Sequence, residues 1–190
     1  METKELKEFL DEKYHQYNNP TFIESDPIQV PHSYSSKEDV EIAAFLSASI
    51  AWGQRKSIIK NAFRLMAMMD NQPHDYILNA TDQDLSVFDR FVHRTFNAND
   101  CKFFIRALQN IYQNKCGLEK VFTDGYALVG SVESALIEFR KTFFDVDHLP
   151  RSEKHLANIL KNSSAKRLNM FLMWMVRNDG RGVHFGLWKN

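Results

Sequence analysis

The chain has 190 residues, 44% apolar and 13% aromatic, with 24 Lys+Arg against 24 Asp+Glu. That composition excludes a disordered chain, and no apolar run approaches the roughly 18 residues of a membrane-spanning helix. The two cysteines, Cys101 and Cys116, and the lack of any CxxC, HxxxH or HExxH pattern exclude a disulfide framework and an iron–sulfur cluster, and no metal or cofactor is expected.

Residues 3–17 show helical spacing and predict a first amphipathic helix, ended by "NNP" at Asn18 to Pro20. The charged start "METKELKEFLDEKYHQY" has no apolar core of a signal peptide, so a cytoplasmic protein is expected. Pro20, Pro27 and Pro31 then keep helix from propagating. In "SSKEDVEIAAFLSASIAWG", Ser35 or Ser36 is the expected cap, Glu38 and Asp39 complement the helix dipole, and Gly53 offers a left-handed exit. The interior of this segment is apolar nearly all round, which predicts a central, buried helix. "QRKSIIKNAFRLMAMM" follows, with Ile58, Ile59, Ala62, Phe63 and Met66 on the buried stripe and Arg55, Lys56, Lys60 and Arg64 on another face.

Further helices are predicted over "PHDYILN", "DQDLSVFDRFV", "NDCKFFIRALQNIYQNKCG" (capped by Asn99 or Asp100), "LEKVFTDGYAL" and "SVESALIEFRKTFFD", the last capped by Ser131. "SEKHLANILKN" and "SAKRLNMFLMWMVRND" are joined by a few residues and predict an αα-hairpin. Strand alternation is nowhere convincing. The fold class expected is all-α, with about eight or nine helices, in one domain over residues 1–190. The apolar run "GRGVHFGLWKN" must be buried on something, and a missing element or self-association through this aromatic segment is expected.

Charge is unevenly spread. Residues 151–190 hold 8 Lys+Arg against 2 Asp+Glu, and residues 1–150 hold 16 against 22. The C-terminal quarter therefore faces either something anionic or the acidic part of its own chain. Within it, Lys166 and Arg167 stand near the start of an apolar helix, the wrong end of the dipole for a cation. Ser163 or Ser164 as cap would leave backbone N–H groups pointing outward beside these cations, an anion site able to clamp a nucleic-acid phosphate. Lys166 has three readings: a solvated helix end, a phosphate contact, or a nucleophilic amine. The last requires deprotonation, and only burial, which can lower a lysine pKa by up to about 3–5 units, could supply it.

"FLSASIAWGQRKSIIKNAFRLM", "FVHRTFN" and "NSSAKRLNMFLMWMVRNDGRGVHFGLWK" closely resemble an uncharacterised bacterial family, domain of unknown function 2400, over about residues 20–190. That family in turn resembles, distantly, the helix-hairpin-helix DNA glycosylases and lyases. "FLSAS" at 45–49 echoes their "LLSAQ"-like segment, and "KNSSAKRLNMFL" echoes their "LPGVGRKTANVVL" hairpin. The resemblance implies a glycosylase-like domain in two interleaved lobes, with a helix-hairpin-helix element over 153–178. It also implies that Lys166 matches the lysine that attacks C1′ of a damaged nucleotide flipped from the duplex. The glycines of that hairpin are replaced by Asn162, Ser163 and Ser164, of which Asn can adopt a left-handed turn. The assisting aspartate belongs to a segment beyond "FGLWK" and is not in this sequence; Asp179 is too early to match.

The function expected is DNA binding related to base-excision N-glycosylases and AP lyases, with catalysis by Lys166 in question. The DNA contacts expected are Asn162, Ser163, Ser164, Arg167, Gln54, Arg55, Lys56 and Lys60. A non-catalytic helical module for nucleic acid or protein is the alternative. His93 and Arg94 either cap a helix end or bind phosphate. Trp52 and Trp174 are expected in the core, and Cys101 as a small buried hydrophobe.

Overall fold

A computed structural model of the chain describes residues 3–189. Its α-helices are α1 (Thr3–Tyr17), α2 (Lys37–Ser49), α3 (Arg55–Ala67), α4 (Pro73–Asn79), α5 (Ala98–Asn114), α6 (Leu118–Ala127), α7 (Val132–Phe143) and α8 (Lys166–Val176). The all-α class is thus observed. No described helix is long and apolar enough to cross a membrane.

α2 is the axis of the fold. Val40 to Ser49 are all buried, and α3, α4 and α8 pack around it. Ser36 caps it, its Oγ accepting from the Asp39 N–H. Phe45 shows why the helix is apolar all round. Its ring meets Phe104 of α5 at 6.1 Å, Phe139 and Phe143 of α7 at 5.5 and 5.4 Å, and Phe171 of α8 at 5.6 Å. One side chain so joins four helices. α6 and α7 approach so closely that a Cβ on Gly125 would lie 2.9 Å from the Ala135 Cα.

Several expected helices take other forms. Asp84–Arg90 is a 3-10 helix and runs into a short hairpin of β1 (Val92–His93) and β2 (Phe96–Asn97), paired Val92 with Asn97 and His93 with Phe96. Two-residue strands are too short to show alternation. α5 is capped two or three residues earlier than expected: Asn97 accepts from Asp100 N, and the Asp100 carboxylate accepts from Asn97 N, a reciprocal capping box.

The first arm of the expected αα-hairpin is not an α-helix. Residues 150–161 form two 3-10 turns, Pro150–His155 and Ile159–Lys161, broken by extended Leu156 and Asn158. Proline at the start and the Asn158 side chain, which accepts from Leu160 N, favour short local turns over a continuing helix. Asn162 does take the left-handed conformation, at φ 59. Neither Ser163 nor Ser164 caps α8. That position falls to Ala165, at φ 46, with no side-chain cap, while Ser163 Oγ accepts from Ala165 N.

The apolar C-terminal run is taken up by the chain itself, against the expectation of an uncovered aromatic segment. Val183 and Trp188 are buried, and Phe185 and Leu187 pack against the core. Phe185 N donates to Trp174 O (2.9 Å) and Trp188 N to Met175 O (3.1 Å), so the segment satisfies carbonyls that α8 leaves open at its end.

Candidate functional site

The odd placement of Arg167 has a structural answer. It lies in the first turn of α8, yet its guanidinium reaches the C-terminal end of α2 and donates to Ser49 O. A cation at a helix C-terminus is favoured by the dipole and by the open carbonyls there. The same guanidinium lies 4.7 Å from the centre of the Trp52 ring. The 162–167 turn and the α2–α3 connection, more than a hundred residues apart, thereby share one face.

Trp52 is half-buried rather than fully in the core, and two further groups gather on it. The His155 ring is nearly parallel to it at 5.8 Å, and His93 meets it edge-on at 5.2 Å. His93 lies between Asn61 Nδ2, 3.1 Å from Nδ1, and Trp52 O, 3.2 Å from Nε2. An amide N–H donor on one side and a carbonyl on the other fix the Nε2–H tautomer. Burial lowers the His93 pKa, which keeps the ring neutral.

Beneath this layer lies Asp100, with no exposed surface. It accepts from Arg151 (2.9 Å), Ser152 Oγ (2.7 Å) and Asn97 N (3.0 Å). His155 Nε2 stands 3.2 Å from Asp100 Oδ2 without hydrogen-bond alignment. Desolvation lowers the His155 pKa although Asp100 opposes it. A small space of about 10 Å³, the size of one water, is lined by His155, Arg167, Phe45 and Ser49.

The expected DNA contacts divide. Lys166, Asn162, Ser163 and Ser164 are exposed on the turn, and Gln54, Lys56 and Lys60 are exposed along the start of α3. Arg55 instead reaches Asp26 at 4.0 Å and lies over Phe22 at 5.6 Å, toward the proline-rich segment. The burial that amine chemistry at Lys166 would call for is not there. Among the described residues Lys56, Lys60, Arg94, Lys154, Lys161, Lys166 and Arg167 have no carboxylate within 4.0 Å, whereas Arg151 and Arg177 do. The positive C-terminal quarter is therefore only partly balanced by the rest of the chain.

Sequence reading missed the Trp52 layer and the Asp100–Arg151–His155 cluster. Asp100 looked like a helix cap, which it also is. Its other partners lie more than fifty residues away, with no local signal. Trp174 and Cys101 are buried as expected, and burial raises the Cys101 thiol pKa.

A second polar centre lies in the first half of α2. Glu41, 2% exposed, accepts from Tyr112 Oη (2.7 Å) and Trp188 Nε1 (2.6 Å), with Lys37 at 3.8 Å. Burial raises its pKa against those two bonds.

Over residues 26–190 the chain matches the family described as protein of unknown function (DUF2400), and it belongs to that family. No curated protein and no solved structure matches it.

Proposed function

We propose that this member of the DUF2400 family binds duplex DNA along its phosphate backbone, through the face where the 162–167 turn meets the start of α3. One observation carries the reading: Arg167 ties two basic stretches, distant in sequence, around half-buried Trp52, and the exposed cations there lack acidic partners among the described residues. Unpaired cations on one face are the electrostatic footprint of phosphate binding. Lys166, Lys56 and Lys60 are the phosphate contacts. Asn162, Ser163 and Ser164 offer polar groups beside them. The relation to base-excision glycosylases and lyases belongs to this proposal, and exposed Lys166 favours a phosphate contact over a Schiff-base amine.

Borohydride trapping on an abasic-site duplex, beside binding to the intact duplex over a salt series, tests this. The expected outcome is no trapped adduct and an affinity that falls with a log–log slope of about −3, reduced by about 1 in Lys166→Ala. An adduct lost in Lys166→Ala would make Lys166 the attacking amine and the protein a lyase. Absence of both adduct and binding would sink the nucleic-acid reading.

A further inference from the structure

We infer that Arg94 forms a phosphate-oxyanion site with Arg167 across the Trp52–Gly53 dipeptide, a deepening that rests on the DNA-binding reading above. Arg94 and Thr95 make the two-residue loop between β1 and β2, and Arg94 stands at φ 56. The first position of such a loop normally holds glycine, because a side chain there strains the backbone. Arginine has no local reason to occupy it. Its guanidinium has no hydrogen-bond or ion-pair partner among the described residues, so the strain is not offset by a fold contact of that kind.

The surroundings are built to keep it there. Gly53, at φ 102, faces the Arg94 side chain, and a Cβ on Gly53 would come within 2.9 Å of Arg94 Nη1. A Cβ there would push this flexible guanidinium aside, and the φ of 102 itself favours glycine at position 53. Next to Arg94 in sequence, His93 is fixed between Asn61 and Trp52 O. On the other side, Arg151 donates to Thr95 O (3.0 Å) while anchored on Asp100. A strained residue held from both sides, with its charge left free, is the pattern of a ligand-binding position rather than of a fold-stabilising one. Arg167 lies against the other half of the same dipeptide, at Trp52. Two guanidinium groups flanking one dipeptide suit a phosphate group, whose separate oxygens can each accept a charge-assisted bond.

The test sets Arg94→Gly and Arg94→Lys beside the wild type, measuring thermal midpoint and duplex affinity from low to high salt. Arg94→Gly is expected to melt higher, because the strain is relieved, and to bind more weakly with a salt slope shallower by about 0.9, one phosphate contact. Arg94→Lys keeps charge and strain, and should melt with the wild type and retain the slope. A lower melting point for Arg94→Gly, or an unchanged slope, would overturn the inference while leaving DNA binding intact. Stabilisation by inorganic phosphate that Arg94→Gly abolishes, in a protein that does not bind duplex, would keep the anion site and overturn the DNA reading. A wild type that responds to neither duplex nor phosphate overturns both.

Discussion

Glu41 is a carboxylate inside the core, and its two donors decide what a substitution there does. Trp188 Nε1 can only donate, whereas Tyr112 Oη can also accept. Glu41→Gln can therefore turn its oxygen to Trp188 and its amide to Tyr112, and is expected to stay within about 1 kcal/mol of wild type in urea unfolding. Glu41→Leu leaves both donors unpartnered and should cost about 3–5 kcal/mol. Equal losses in the two variants would show that charge, not bonding, holds the site. The pH dependence gives an independent reading. Burial raises the native Glu41 pKa from 4.5, so the native state binds the proton more tightly than the unfolded chain. That group's contribution favours folding at low pH and declines as pH rises through the raised value. Glu41→Gln should remove that decline.

At the scale of elements, helix punctuation was the readable part. Ser36, Ser131 and Pro73 sit where the sequence placed helix starts, because each acts through groups within one turn of itself. The 153–161 segment was misread for the complementary reason. Its apolar residues suit a helix, but Arg140 of α7 draws its carbonyls outward, donating to Leu156 O at 2.5 Å, and Arg140 pairs with Glu153 at 2.8 Å. Those partners are tertiary and leave no local mark. Gly125 is the opposite kind of constraint, a site where backbone meets backbone. Gly125→Ala should destabilise by about 1–3 kcal/mol, since the Ala135 Cα cannot move aside as a flexible side chain would. Asn162 tests the turn before α8. Asn162→Ala should cost about 1 kcal/mol at φ 59, whereas Asn162→Gly should be nearly neutral. A neutral alanine variant would show that the turn relaxes to another conformation.

For the whole molecule, the all-α class and the buried central helix were legible, since composition and periodicity report how much surface must be covered. Half of the candidate site was legible too, as basic stretches at 54–60 and 162–167. Their junction was not, because Arg167–Ser49 is a contact across 118 residues. The molecule also carries a collective pH response. His93, His155 and His184 each have a pKa lowered from 6.5, chiefly by burial. Below about 6.5 the unfolded chain takes up these protons first, so stability falls as pH drops toward the native values. Urea midpoints should decline between pH 7 and 5, and His155→Gln should flatten part of that slope. A flat profile in Glu41→Gln, which lacks the opposing carboxylate, would mean the rings stay hydrated.

The bond between Glu41 and Trp188 also bears on how the chain comes into being. Synthesis at about 5–20 residues per second puts roughly 7–30 s between the two partners, which are 147 residues apart. Until residue 188 has left the ribosome, α2 carries a carboxylate with no indole to meet it, and a dry core around that helix is unfavourable. Nascent chains stalled before residue 188 should thus leave α2 open to proteases, and those stalled far enough beyond it for the segment to dock should become resistant.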